Sequence, residues 1–154
     1  MGKNRVTRGQ ALVGTVAVTG ADGLTVAGVK PIIQDPITSE LLAASVAKWI
    51  FIADRAYQVT AVREVHSVVG GASAAVRPRK ITDTSAPGAA AGATVKELTT
   101  AAIDLTATIN TVVSPALSAT VADLQLAAGD RIALNFSGTL TGLVGLIEIV
   151  LKAI

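Results

Sequence analysis

Apolar and polar positions alternate through most of the C-terminal part of this chain. Over residues 57–69, Tyr57, Val59, Ala61, Arg63, Val65 and Ser67 fall on one side, with Gln58, Thr60, Val62, Glu64, His66 and Val68 on the other. A period of two marks a strand with one face turned to a core. The same alternation recurs over residues 103–113, where Ile103, Leu105, Ala107 and Ile109 oppose Asp104, Thr106, Thr108 and Asn110. It returns over residues 131–137 through Ile132, Leu134 and Phe136. Shorter strands are expected over residues 46–53, 74–81 and 116–121, and a long apolar one over 143–154. In residues 74–81, Arg77, Arg79 and Ile81 face away from Val76, and Pro78 points to an edge or a bulge. Asp54-Arg55, Gly70-Gly71, Ser114-Pro115, Gly129-Asp130 and the stretch 138–142 supply turns. Residues 82–94 read as a surface loop, and residues 96–102 as either a helical turn or a loop. About seven or eight strands parted by turn signals predict an all-β fold, a jelly-roll-like β-sandwich.

Ahead of this body the pattern fades. Residues 1–10 are polar and basic, and the next twenty or so, through residue 29, mix Val, Thr and Gly around an Ala21-Asp22-Gly23 turn. They read as a small hairpin, 13–19 with 24–29, or as an extended arm on a partner. Asp35 before Pro36 is a helix-start signal, with room for about two turns up to residue 44. The expected division is therefore an N-terminal arm, 1–44, and a β-sandwich body, 45–154.

Composition changes the picture in two ways. Apolar residues make up 51% of the 154 residues but aromatics only 3%, so the core is expected to be Val, Ile, Leu and Ala. Charged residues are 16%, below the usual ~25%. Either much of the surface is covered by other protein, or it is a small polar surface of Thr and Ser. Residues 1–81 carry 10 basic and 5 acidic side chains, and residues 82–154 carry 3 and 6. The asymmetry is read as internal neutralisation before a basic patch. A net charge of +2 does not suggest a nucleic-acid partner. No apolar run reaches the ~18 residues of a membrane span, and the basic start followed by residues 11–18 makes a poor signal peptide.

Reactive side chains are scarce. There is no cysteine, and His66 is the one histidine. No Gly-x-Ser-x-Gly elbow presents a serine, and zinc chemistry lacks ligands in number. His66, beside Glu64 on one strand face, reads as a satisfied or exposed strand histidine. Asp123 and Asp130 flank a turn, where Asp bonds locally. Gly70-Gly71 and residues 88–92 lack the Gly-Lys-Ser/Thr of a phosphate loop. No cofactor and no enzymatic activity are expected. Trp49 and Phe51 are read as sharing a core face. Arg77, Arg79 and Lys80 read as a solvated edge or, more sharply, as a docking site for an acidic surface.

Two phrases carry a resemblance. Residues 51–59, Phe-Ile-Ala-Asp-Arg-Ala-Tyr-Gln-Val, followed by Val62-Arg63-Glu64-Val65, resemble the first core strands of tailed-bacteriophage head decoration (cement) proteins. Residues 126–134, Leu-x-x-Gly-Asp-Arg-Ile-x-Leu, resemble a strand-turn-strand of the same group, which tumour-necrosis-factor-like jelly rolls share loosely. The resemblance implies a homotrimeric knob on the outer surface of an icosahedral capsid, bridging major capsid proteins. It also implies an arm that grips the shell, here with Lys3, Arg5 and Arg8, beside Arg77, Arg79 and Lys80 on the body. The alternative is a receptor- or glycan-binding head of a phage fibre, which would follow a repetitive shaft.

Overall fold

The longest alternating run becomes a strand, Tyr57–Val68, with Tyr57, Val59, Val62, Glu64 and His66 turned inward. A bulge between Val59 and Ala61 switches the parity, so beyond it Val62, Glu64 and His66, expected on the face opposite Tyr57 and Val59, turn inward, and Ala61, Arg63, Val65 and Ser67 do not. The computed structural model describes residues 34–154. Their elements are β1 (Gln34–Leu42), β2 (Lys48–Ile52), β3 (Tyr57–Val68), β4 (Ala75–Ile81), β5 (Val95–Glu97) and β6 (Ile103–Asp104). The one-turn helix α1 (Val121–Leu124), β7 (Gln125–Leu126), β8 (Arg131–Ser137) and β9 (Val144–Ala153) complete the order.

The strands form two antiparallel sheets. The first has the order β1-β9-β3-β7, and the second β2-β8-β4-β5 with β6 also on β4. Thus β1 pairs β9, β2 pairs β8, β3 pairs β7 and β4 pairs β5. Early strands meet late ones in reverse order, and successive pairs alternate between sheets. That is one long hairpin wound around itself, the jelly-roll arrangement, so the expected all-β sandwich is what the chain forms.

Between the sheets, Val59, Val62, Ile147, Ile149 and Leu151 meet Val76, Ile132 and Leu134. Each such side chain contributes roughly 1.5–3 kcal/mol by leaving water. The core is aliphatic, as the composition implies. Its aromatic contact is Phe51 edge-on to Tyr57, centroids 5.5 Å apart and planes at 78°.

Several boundaries differ from expectation. Among the described residues the sandwich already includes Gln34–Leu42, which the expected division places in the arm 1–44, because β1 pairs along its whole length with β9. Pro36 therefore starts no helix. It sits in a strand at the sheet's edge, where a missing N–H is tolerated. The 13–19/24–29 hairpin lies outside the described residues. The run over residues 103–113 is a strand only at Ile103–Asp104, because Thr108 and Asn110 take φ of 61° and 57° and break the extended path. Residues 116–121 form no strand beyond a single bridge, Thr99 to Leu117. Pro78 is on neither an edge strand nor a bulge. Its carbonyl accepts from Leu98 N at 3.0 Å, so its nitrogen points the same way, into the gap between β5 and β6.

The two phrases that carry the family resemblance meet at one corner. Ala53 N donates to Asp130 O at 2.8 Å, and Gly129 N donates to Ala53 O at 2.7 Å. Gly129 has φ +90°, which favours glycine, and Asp130 Oδ2 accepts from Ala127 N at 2.9 Å. Across the corner Tyr57 donates its hydroxyl to Asp54 at 2.6 Å. Hydrogen bonds from Arg55 and Tyr57 lower the Asp54 carboxyl to about 2.

Candidate interaction surfaces

The basic run on β4 is internal. Arg79 is 7% exposed, with Nε and Nη2 on Glu97 at 2.9 and 2.8 Å and Nη1 donating to Ala89 O. Lys80 is equally buried on the opposite, inward face and donates to the carbonyls of Ala122 and Gln125 at 2.6 and 2.9 Å. Those carbonyls belong to α1 and to the residue that caps its end, where a helix leaves acceptors without partners of its own. Arg77 keeps partial exposure and lies 3.5 Å from Glu97 Oε2. β4 is also a central strand, flanked by β8 and by β5 with β6. The expectation of a solvated edge, or of a docking site, is corrected for Arg79 and Lys80, while Arg77 keeps its exposure. Arg79 and Lys80 satisfy buried carbonyls and a carboxylate within their own fold. Lys3, Arg5 and Arg8 lie outside the described residues.

Trp49 and Phe51 do not share a face. The register with β8 shifts between them, so Trp49 lies opposite Ala133 and Phe51 opposite Ile132. Phe51 packs on the core, whereas Trp49 looks outward beneath the Arg131 guanidinium, 4.5 Å from the ring centroid. Beside it the second sheet's outer face is closed over by Ala89 of the 82–94 loop, which packs on Ile81, Val95 and Ala133.

The first sheet's outer face is different. Pairing places Leu42, Val144 and Val68 in one row, and Val65 and Leu146 in the next with Glu40 beyond. Leu42, Val68, Val144 and Leu146 are each about two-fifths exposed, at 43%, 45%, 45% and 39%. Val112, 62% exposed, adds the rim of a shallow groove of about 140 Å³ closed at one end by the Arg63–Glu148 ion pair. A second depression of about 250 Å³ continues it over Val144 and Gly145. The signal for this surface lay in β9, where both faces are apolar around Leu146, and in Val65 standing between Arg63 and Ser67.

His66 and Glu64 are buried at the inner side of β3, at 0% and 1% exposure. Nδ1 of His66 lies 2.9 Å from Glu64 Oε1, and Nε2 lies 2.7 Å from the carbonyl of Ala107. Glu64 Oε2 is buried without a hydrogen bond. Burial pushes the Glu64 carboxyl upward, opposed by the hydrogen bond and charge of His66. Residues 105–113 lie over the pair. Asn110 N donates to His66 O at 2.7 Å, and Val113 and Glu64 exchange both backbone bonds at 2.7 and 2.8 Å. Holding Thr108 and Asn110 in the left-handed region costs roughly 1–2 kcal/mol for a β-branched residue and less for Asn. These contacts offset that cost. Gly145 lets β9 pass His66, since a Cβ there would stand 2.9 Å from the His66 Cβ. His66 is thus the satisfied strand histidine of the sequence reading, buried and not exposed.

Among the described residues, no three His, Cys, Asp or Glu side chains gather as a metal site, and no helix is long and apolar enough to cross a membrane. No family model, no curated protein and no solved structure matches the chain.

Proposed function

We propose that this protein is a structural virion protein, a decoration or cement protein that binds the outer surface of an icosahedral phage capsid as a homotrimer. The observation that carries the reading is the apolar half-face of the first sheet around Leu146, which the other described residues leave open, on a body whose second sheet is covered over Ile81 and Ala133 by its own loop. Single exposed apolar side chains are ordinary, but a contiguous set favours burial against another protein. The resemblance of residues 51–59 and 126–134 to head decoration proteins supports the capsid as the setting. In this reading the Leu146 face serves contacts between copies. Lys3, Arg5 and Arg8 then draw the knob to an acidic region of the major capsid protein. Arg79 and Lys80 have no part in that step, since both are engaged internally.

The test uses purified protein and undecorated heads of a phage that carries it. Light scattering is expected to give a trimer mass, and cosedimentation to show saturable binding that weakens as salt rises. The triple variant Lys3→Glu, Arg5→Glu, Arg8→Glu is expected to stay trimeric and lose binding at low salt. A monomer that binds no head would end the proposal. Unchanged binding of the triple variant would move the anchor away from the basic start.

A further inference from the structure

We propose that Glu64 and His66 hold one proton between them and latch residues 105–113 across the end of β3, and that loss of this proton opens the latch. The geometry sets the proton count. The Ala107 carbonyl only accepts, so Nε2 of His66 must carry a hydrogen at 2.7 Å. The 2.9 Å contact of Nδ1 with Glu64 Oε1 then needs one more proton, on either the carboxyl or the imidazole. Both arrangements leave the buried pair neutral overall. Without that proton, a carboxylate would face the bare lone pair of Nδ1 in a site where Glu64 Oε2 already lacks a hydrogen bond.

Few other charges bear on the pair. Arg63 of β3 turns to the opposite face and engages Glu148 of β9. Asp104 of β6 is held by the amide and hydroxyl of Thr106 at 2.8 and 2.7 Å, and the charge of His66 lowers its carboxyl slightly beyond what those bonds do. Residues 105–113 and 138–143 contain no charged side chain. Among the described residues the pair thus stands apart from the other charged side chains at this end of the sandwich. What it holds is a backbone with two left-handed non-glycine residues, Thr108 and Asn110, which relaxes if released. Release also withdraws Val112 from the groove rim.

The pH dependence follows from counting protons. Opened to water, a carboxyl ionises near pH 4.3 and an imidazole near about 6.5. Between those values the open pair also carries one extra proton, so opening is indifferent to pH. Above about 6.5 the open pair carries none and the closed pair one, so the opening equilibrium grows about tenfold per pH unit. Below about 4.3 the open pair carries two, and opening grows again as pH falls.

Hydrogen exchange of the Asn110 and Val113 amides in the full-length protein reads this directly. Exchange from a fixed opening rises about tenfold per pH unit, so the latch raises the slope to about a hundredfold above pH ~6.5. The Gly129 amide, bonded to Ala53 O at the opposite corner, opens without exposing the pair; it is the control and is expected to keep the tenfold slope. In Glu64→Gln the amide donates to neutral Nδ1, no proton is released on opening, and the slope at both latch amides returns to about tenfold. A tenfold slope in the unaltered protein up to pH ~9, or a hundredfold slope that survives Glu64→Gln, overturns the proposal. If the variant does not fold, the single imidazole gives an independent answer. Its ¹⁵N spectrum at pH ~7 must show a hydrogen on Nε2, and a tautomer protonated on Nδ1 alone overturns the latch.

Discussion

The outer faces of the two sheets are finished in opposite ways. Over the second sheet the chain supplies its own cover: Ala89 packs on Ile81 and Ala133, and Arg79 ties that loop to Glu97. Over the first sheet, around Leu146, nothing among the described residues covers Val65, Val144 and Leu42 to the same degree. Both faces carry apolar side chains on similar strands. The difference lies in the connection: residues 82–94 fold back over their own sheet, whereas residues 105–113 run along the edge of β3 and reach its face only through Val112. A face closed from within contributes to stability, and one left open is free to contribute to association. Substitutions on the two faces should therefore fail differently.

The largest effect is expected at Arg79. Arg79→Ala leaves the Glu97 carboxylate short of its main partner and the Ala89 carbonyl without its donor. Removing one member of a buried pair costs about 3 kcal/mol or somewhat more. Urea unfolding should show that loss with no change in association beyond it. A loss under about 1 kcal/mol would mean that the loop is held by packing alone, and that the second face is less firmly closed than the ion pairs suggest.

This contrast was only partly legible in the sequence. Alternation located β3 and β8, and the long apolar run located β9. Alternation also put Arg77 and Arg79 on the face away from Val76. It could not show that a loop of Ala, Gly and Ser would bring a carbonyl to Arg79, or that α1 would bring two to Lys80, since those partners lie far along the chain. The run over residues 103–113 has strand periodicity, yet β3 offers it a partner only near Val113. The buried Glu64–His66 pair and the left-handed residues took the rest. β1 was hidden by Asp35-Pro36, a local helix signal overruled by pairing with β9. Which apolar face stays open is a property of the connections, and periodicity carries no information about it.

On the first sheet, Leu146→Ser is expected to cost the isolated body only about 1 kcal/mol, because the side chain is already part exposed. Its effect should fall on assembly. Light scattering is expected to show a smaller mass at micromolar concentration, with the circular dichroism of a β-protein retained. If the mass is unchanged and the stability loss matches that of Arg79→Ala, Leu146 belongs to the fold and the two faces do not differ as described.

The smallest effect is expected at Trp49, where the cover of the second sheet stops. The residue is 37% exposed, with the Arg131 guanidinium 4.5 Å from the ring centroid. A cation over an exposed ring contributes about 0.5–1 kcal/mol, so Trp49→Phe, which keeps a ring there, should lower stability by less than that. Its greater use is as a reporter, since it is the one tryptophan of the chain. If association uses the Leu146 face, Trp49 stays in water when copies assemble. Acrylamide should then quench its emission equally well in the assembled protein and in dissociated Leu146→Ser. Trp49 emission that shifts to the blue and resists quenching on assembly would place the margin of the second sheet inside the interface. Closure by the chain's own loop would then not have kept that face out of association.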